Sequence, residues 1–250
     1  MHLDKPSDPP VALITGSAVR LGAEIAKHLH HAGYRVVIHY RSQQEAALAL
    51  TASLNELRPT SAVAICAALD NPDELHHLAS TTIKCWGKLD LLVNNASRFY
   101  PTPIETSTPS DWHALMESNV KAPYFLSQYL KEPLASHAGN IINIIDIYSQ
   151  RPLENHSLYC MSKAALAMMT QSLAQELAPN IRVNGVSPGA ILWPSGDNHL
   201  TDYQENLLKK VPLQRCGTPA DIAKAVMFLA QSDYITGQII SVDGGRTLTI

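Results

Sequence analysis

The apolar run Val11 to Ile14 passes directly into Thr15-Gly16 and then into Leu21, Ile25 and Leu29 at helical spacing. Four successive apolar residues suit a strand covered on both faces, and the later spacing of three to four puts one side of a helix against it. The next apolar run, Tyr34 to Tyr40, completes the opening of a βαβ unit. The alternation continues with a helix over Gln43 to Leu57 and a strand over Ala62 to Cys66. Further strands are expected at Leu91 to Asn94, Asn140 to Ile145, Ile181 to Val186 and Gln238 to Val242, with helices over 109–131, 157–178 and 219–231.

Strands that alternate with helices make a parallel sheet with helices on both faces, so the expected class is α/β: a single Rossmann-like, doubly wound sheet. Residues 1–10, ending in two prolines and lacking an apolar stretch, read as an extended tail, and 11–250 as one domain. The loop from Pro188 to about Tyr203 is too long for an ordinary connection. It is a candidate substrate lid, covering about 189–210, or else a surface excursion.

Composition excludes several classes of function. Of 250 residues 46% are apolar and 16% charged, no apolar run reaches the roughly 20 residues of a membrane span, and 19 basic against 22 acidic residues give a net charge of −3. Without a basic run there is no electrostatic footprint for nucleic acid. Cys66, Cys85, Cys160 and Cys216 form no CxxC pair, and the adjacent pairs His30-His31 and His76-His77 point apart on a helix. No metal is expected, and reduced thiols in a cytoplasmic setting are.

Thr15-Gly16-Ser17-Ala18-Val19-Arg20-Leu21-Gly22 lies where a dinucleotide fold places its phosphate turn. Gly16 allows the tight turn, Gly22 the close approach of helix to strand, and Arg20 takes the place of the middle glycine, its cation suited to a phosphate. At the end of the second strand an acidic residue would select the ribose diol of NAD. Here the residues are His39-Tyr40-Arg41-Ser42, and an arginine beside a hydroxyl suits a 2′-phosphate, so NADPH is the expected cofactor. The alternative is that Arg41 is a solvated surface residue.

Tyr159 and Lys163 are one helical turn apart and share a face. A neighbouring ammonium lowers a phenol's pKa, which is expected to make Tyr159 a proton donor near neutral pH. Thirteen residues before the tyrosine stands Asp146, either an acidic partner for it or a cap on the turn after a buried strand.

With the phosphate turn, Asn94-Asn95-Ala96, Asn119, Tyr159/Lys163 and Pro188-Gly189 in order, residues 11 to 247 resemble the short-chain dehydrogenase/reductase superfamily. Arg20-Leu21-Gly22, His39 to Ser42, the run Asn94 to Pro103 and Asp146 are similar to the pteridine reductases within it. The resemblance implies that Tyr159 donates the proton, Lys163 modulates it and binds ribose, Asn119 links a water relay and Asp146 is the acidic partner. It implies that Phe99 stacks a pterin against the nicotinamide, while Ser97 and Arg20 hold its polar groups and the phosphates. Asn95, Ala96, Pro188 and Gly189 would complete the cofactor site. Phe99 could instead be ordinary core. Two departures stand out: Ala67-Ala68-Leu69-Asp70 places its carboxylate two residues later than the family's adenine ligand, and Ala190-Ile191-Leu192-Trp193 lacks a hydroxyl residue.

The expected activity is NADPH-dependent reduction of a dihydropterin or dihydrofolate. A ketone or 3-oxoacyl reductase is the alternative enzyme, and an NADPH-binding regulatory protein without turnover the alternative of another class. Ala164, Ala165, Ala167, Met168 and Met169 give the Tyr159 helix a surface suited to packing between subunits, and the family resemblance implies a homotetramer.

Overall fold

The computed structural model describes residues 8–191 and 202–249. Seven strands form one sheet: β1 Val11–Ile14, β2 Arg35–Tyr40, β3 Ala62–Cys66, β4 Leu91–Asn94, β5 Asn140–Ile144, β6 Arg182–Pro188 and β7 Ile239–Val242. Their order is β3-β2-β1-β4-β5-β6-β7 and every pairing is parallel. The helices are α1 Arg20–His31, α2 Gln44–Leu57, α3 Pro72–Trp86, α4 Pro109–Met116, α5 Ala122–Tyr129, α6 Lys131–Ala135, α7 Ser157–Leu177, α8 Asp202–Lys209 and α9 Pro219–Gln231.

Side chains alternate across a strand, so the residues of β1 divide between two cores. Val11 and Leu13 enter one with Leu78, Leu126 and Leu173, from α3, α5 and α7. Ala12 and Ile14 enter the other with Ile25, Leu54 and Val226, from α1, α2 and α9. The continuous apolar run is therefore needed, because the strand has no solvent face. Between β1 and β4 the winding reverses, and the crevice at their carboxyl ends is where such a sheet binds ligands.

Three expectations are corrected. The helix over 109–131 is broken into α4, a π-helical turn Glu117–Lys121 and α5, followed by α6. Pro123 has no N–H to donate, and the Ala122 N–H reaches back five residues to the Glu117 carbonyl. The fifth strand ends at Ile144, one residue early, because Asp146 caps a 3₁₀ turn over Ile147–Ser149. The sixth runs on to Pro188, which pairs with Val242. Of the expected lid, residues 192–201 with Trp193, Pro194 and Gly196 lie outside the described residues, and 202–209 are helix α8. Residues 1–7 of the expected tail also lie outside them, while Asp8 pairs with Arg35 at 3.1 Å.

Candidate active site

The turn after β1 is held almost entirely by neutral groups. Thr15 Oγ1 accepts the N–H groups of Asn95 and Ala96, each at 3.0 Å, and Asn95 Nδ2 donates to the carbonyls of Thr15 (2.9 Å) and Gly16 (3.0 Å). This bolts the end of β4 to the end of β1. Gly16 has φ +62°, and a Cβ there would lie 3.0 Å from the Ala96 Cα. At Gly22 a Cβ would collide with the Gly16 carbonyl oxygen and sit 2.6 Å from Asn95 Nδ2. Arg20, in the middle glycine's place, takes φ +53°, the left-handed region that favours glycine. A strained arginine at the mouth of the turn is a functional signal.

His39 lies beneath that turn. Its Nδ1 accepts the Gly16 N–H at 2.9 Å, which puts its proton on Nε2, facing the Ala67 carbonyl at 3.0 Å. Burial pushes its pKa down to about 4, so the ring is neutral around pH 7. His39 ties β1, β2 and β3 together at their carboxyl ends.

At the other end, α7 and the turn after β5 bring three ionisable groups together. Tyr159 Oη donates to Asp146 Oδ2 at 2.8 Å, while Asp146 Oδ1 accepts the Tyr148 N–H at 2.9 Å. Both readings of Asp146 hold geometrically, since one oxygen caps the turn and the other faces the phenol. Lys163, 2% exposed, donates from Nζ to the Ile144 carbonyl at 3.0 Å. Burial lowers its pKa to about 8, against an upward pull from Asp146.

The expected lowering of the Tyr159 pKa by Lys163 is not found. Burial, and then the Asp146 carboxylate, raise it well above 10, because Nζ points to a carbonyl and lies 5.8 Å from the ring centre. Burial also raises the Asp146 pKa, opposed by the Tyr148 N–H, Tyr159, Lys163 and Arg246. The tyrosine therefore holds its proton, and the carboxyl is the group moved toward neutral pH.

Both ends open into one cavity of about 490 Å³. Gly16, Arg20, Leu21, Gly22, His39 and Arg41 line one part of it, Asn95, Ala96 and Ser97 another. Phe99, Asp146, Tyr159, Lys163, Pro188 and Gly189 line the rest. Tyr40 and Ser42 are not in its wall: Tyr40 packs on the α1/α2 core and Ser42 is exposed. Asn119 is outside it as well. Its amide accepts from Ser97 Oγ and the Arg98 N–H and donates to the Arg98 carbonyl and Ser162 Oγ, at 2.8 to 3.1 Å. With all four positions taken, the side chain fixes the Ser97-Arg98 segment to α7.

Phe99 is 57% exposed, so it is not core. It stacks on His156 at 4.8 Å and meets the Tyr159 ring edge-on at 4.8 Å. His156 carries no sequence signal, and Arg98, inside the run Asn94 to Pro103, has no expected role of its own, yet both belong to this region. Arg98 lines the cavity and pairs with Asp70 at 2.9 Å, and Asp70 also faces Arg41 at 3.5 Å. Among the described residues no cluster of His, Cys, Asp and Glu is placed to hold a metal, and no helix is long and apolar enough to cross a membrane.

A doubly wound sheet with a glycine turn at its switch point and an Asp-Tyr-Lys group beside it defines a dinucleotide-dependent class of fold. Residues 16–247 match the family described as enoyl-(acyl carrier protein) reductase. The chain is similar to pteridine reductase 1 of Leishmania tarentolae, 38% identical over 96% of this chain and 97% of that protein. It is similar to the 3-oxoacyl-[acyl-carrier-protein] reductase of Rickettsia bellii, 36% identical over 95% and 96% of the two chains. A short-chain type dehydrogenase/reductase of Picea abies is 33% identical over 94% and 92%. The chain belongs to the short-chain dehydrogenase/reductase family.

Proposed function

We propose that this chain is an NADPH-dependent reductase that turns a dihydropterin, of dihydrobiopterin or dihydromonapterin type, or dihydrofolate, into its tetrahydro form. The observation that carries the reading is the Tyr159–Asp146 hydrogen bond beside the exposed ring of Phe99. A flat heteroaromatic ring has an aromatic platform there, and a C=N bond needs a proton at nitrogen as well as hydride at carbon.

The fit to a dinucleotide is supported by Gly16 and Gly22, which shape the cavity wall at a turn packed too tightly for a Cβ, and by the cations Arg20, Arg41 and Arg98 in that wall. Gly16, Gly22, Asn95, Ala96, Ser97, Pro188 and Gly189 would line its path, and Arg41 would hold its 2′-phosphate. When bound, NADPH supplies the hydride. Tyr159 gives its phenolic proton to the substrate nitrogen, so that O–H breaks as N–H forms. Asp146, with its raised pKa, then takes a proton from solvent and passes it to the phenolate across 2.8 Å, which restores the resting Tyr159–Asp146 hydrogen bond. Lys163 sets its cation on the side of Asp146, where it opposes the rise of the carboxyl's pKa.

The reading takes 11–250 as one reductase domain with a lid over about 189–210, working in the cytoplasm as a homotetramer. NADPH oxidation measured with 7,8-dihydrobiopterin, dihydromonapterin, dihydrofolate and a β-ketoester tests it. Turnover with a pterin or folate is expected, and turnover with the ketoester alone would overturn the reading. That second outcome is the activity named for the Rickettsia relative. Arg41→Asp is expected to weaken NADPH about ten- to a hundredfold, as for a lost charged hydrogen bond, and NADH far less.

A further inference from the structure

Arg246 is only 7% exposed, and among the described residues no carboxylate stands within ion-pair distance of it. Asp243, three residues earlier, spends its oxygens on the Gly245 N–H (2.9 Å), the Thr247 N–H (2.7 Å) and Thr247 Oγ1 (2.8 Å). Those bonds shape the turn that presents Arg246, with Gly245 at φ +85°. The guanidinium donates from Nη2 to Tyr148 Oη at 2.6 Å and lies 5.5 Å from the centre of that ring, while its Nε is buried without a partner. A guanidinium stays charged at any ordinary pH, and burying it without an anion is costly. It must therefore draw on a more distant one.

Tyr148 points to that anion, because its N–H donates to Asp146 Oδ1. The path runs from the C-terminal turn through Tyr148 to the carboxyl that accepts the Tyr159 hydrogen bond. We propose that Arg246 is a positioning residue for Asp146: locked against Tyr148 by the C-terminal turn, it is the fixed cation that keeps this buried carboxyl in its hydrogen-bond-accepting form. The groups facing Asp146 are Tyr148 on its own turn, Tyr159, Cys160 and Lys163 on α7, and Arg246. Of the two cations Lys163 acts more strongly on Asp146 but releases its proton at about pH 8, which leaves Arg246 as the one whose charge does not change with pH. The proposal rests on the reading of Asp146 as the acidic partner of Tyr159.

The test is a carboxyl titration by NMR on the full chain labelled with ¹³C-aspartate, the Asp146 signal being identified by its loss in Asp146→Asn. In Arg246→Met the Asp146 midpoint is expected to rise by about one unit, the low end for a lost neighbouring charge. Arg246→Gln, which keeps an amide donor for Tyr148, is expected to show the same rise and decides the matter if the Met variant does not fold. Arg246→Lys is expected to keep the wild-type midpoint. Neutral variants that fold and titrate like wild type would overturn the proposal, as would a Lys variant that shifts as far as Met. The titration uses no substrate, so failure of pterin turnover leaves its result intact.

Discussion

The two ends of the cavity are built on opposite principles. At the phosphate turn, Thr15, Asn95 and a neutral His39 satisfy backbone groups one by one, and shape comes from glycines that leave no room for a Cβ. At the other end, Asp146, Tyr159 and Lys163 are ionisable groups packed together, each with a pKa displaced by burial. The first arrangement stabilises the fold and changes with pH only on the acid side, where the unfolded His39 takes up a proton that the buried ring refuses down to about pH 4. The second costs stability, because a buried charge loses its hydration, and on the proposed function it holds a proton near the point of transfer.

Breaking the reacting end gives the largest expected effect. Asp146→Ala should lower kcat by about 10² to 10⁴, the usual loss of acid-base assistance, with NADPH affinity unchanged in a fluorescence titration. Equal loss in both would merge the two ends into one. The next effect is on stability. The folded Lys163 releases its proton at about pH 8, while an unfolded lysine holds it to about 10.5. Between these values the unfolded chain binds the extra proton, so wild-type stability rises with pH by about 3 kcal/mol at roughly 1.4 kcal/mol per unit. Urea melts across that window should show this rise in wild type and not in Lys163→Met, which should be inactive and more stable at pH 7.

At the glycine turn the expectation reverses. Gly22→Ala should cost about 1–3 kcal/mol of stability, as overpacking does, and should weaken cofactor binding with no new pH dependence. Thermal melts at pH 6 and pH 9 would show the same loss. The smallest effect is expected at Phe99. Because the ring is more than half exposed, Phe99→Ala should leave the melting temperature near wild type and raise KM for a pterin by up to about tenfold, the worth of an aromatic contact.

The fold was legible because its strands are buried on both faces. Ala62–Cys66, Leu91–Asn94 and Pro219–Gln231 fall where the apolar pattern places them. Pattern failed where one residue's backbone needs override periodicity, as at Pro123, which turns an expected long helix through a π-helical turn. In the site, the glycines and Arg20 could be read from type and order, while the cavity placement of Phe99 and Asp146 came from the resemblance to the pteridine reductases. The part played by His39 could not: its two ring nitrogens reach Gly16 and Ala67, from 23 and 28 residues away, and only the packing of three strands side by side joins them.

By itself, the sequence determined which residues would be at the carboxyl ends of the strands, because strand and helix periods are local properties of the chain. Tertiary structure alone decided their protonation and their partners. Lys163 turns to a carbonyl and leaves the phenol to Asp146, Asn119 spends its amide on structure, and Arg246, from the far end of the chain, is brought to the turn that Asp146 caps. Charge and hydrogen bonding depend on burial and distance, and neither exists until the chain has closed on itself.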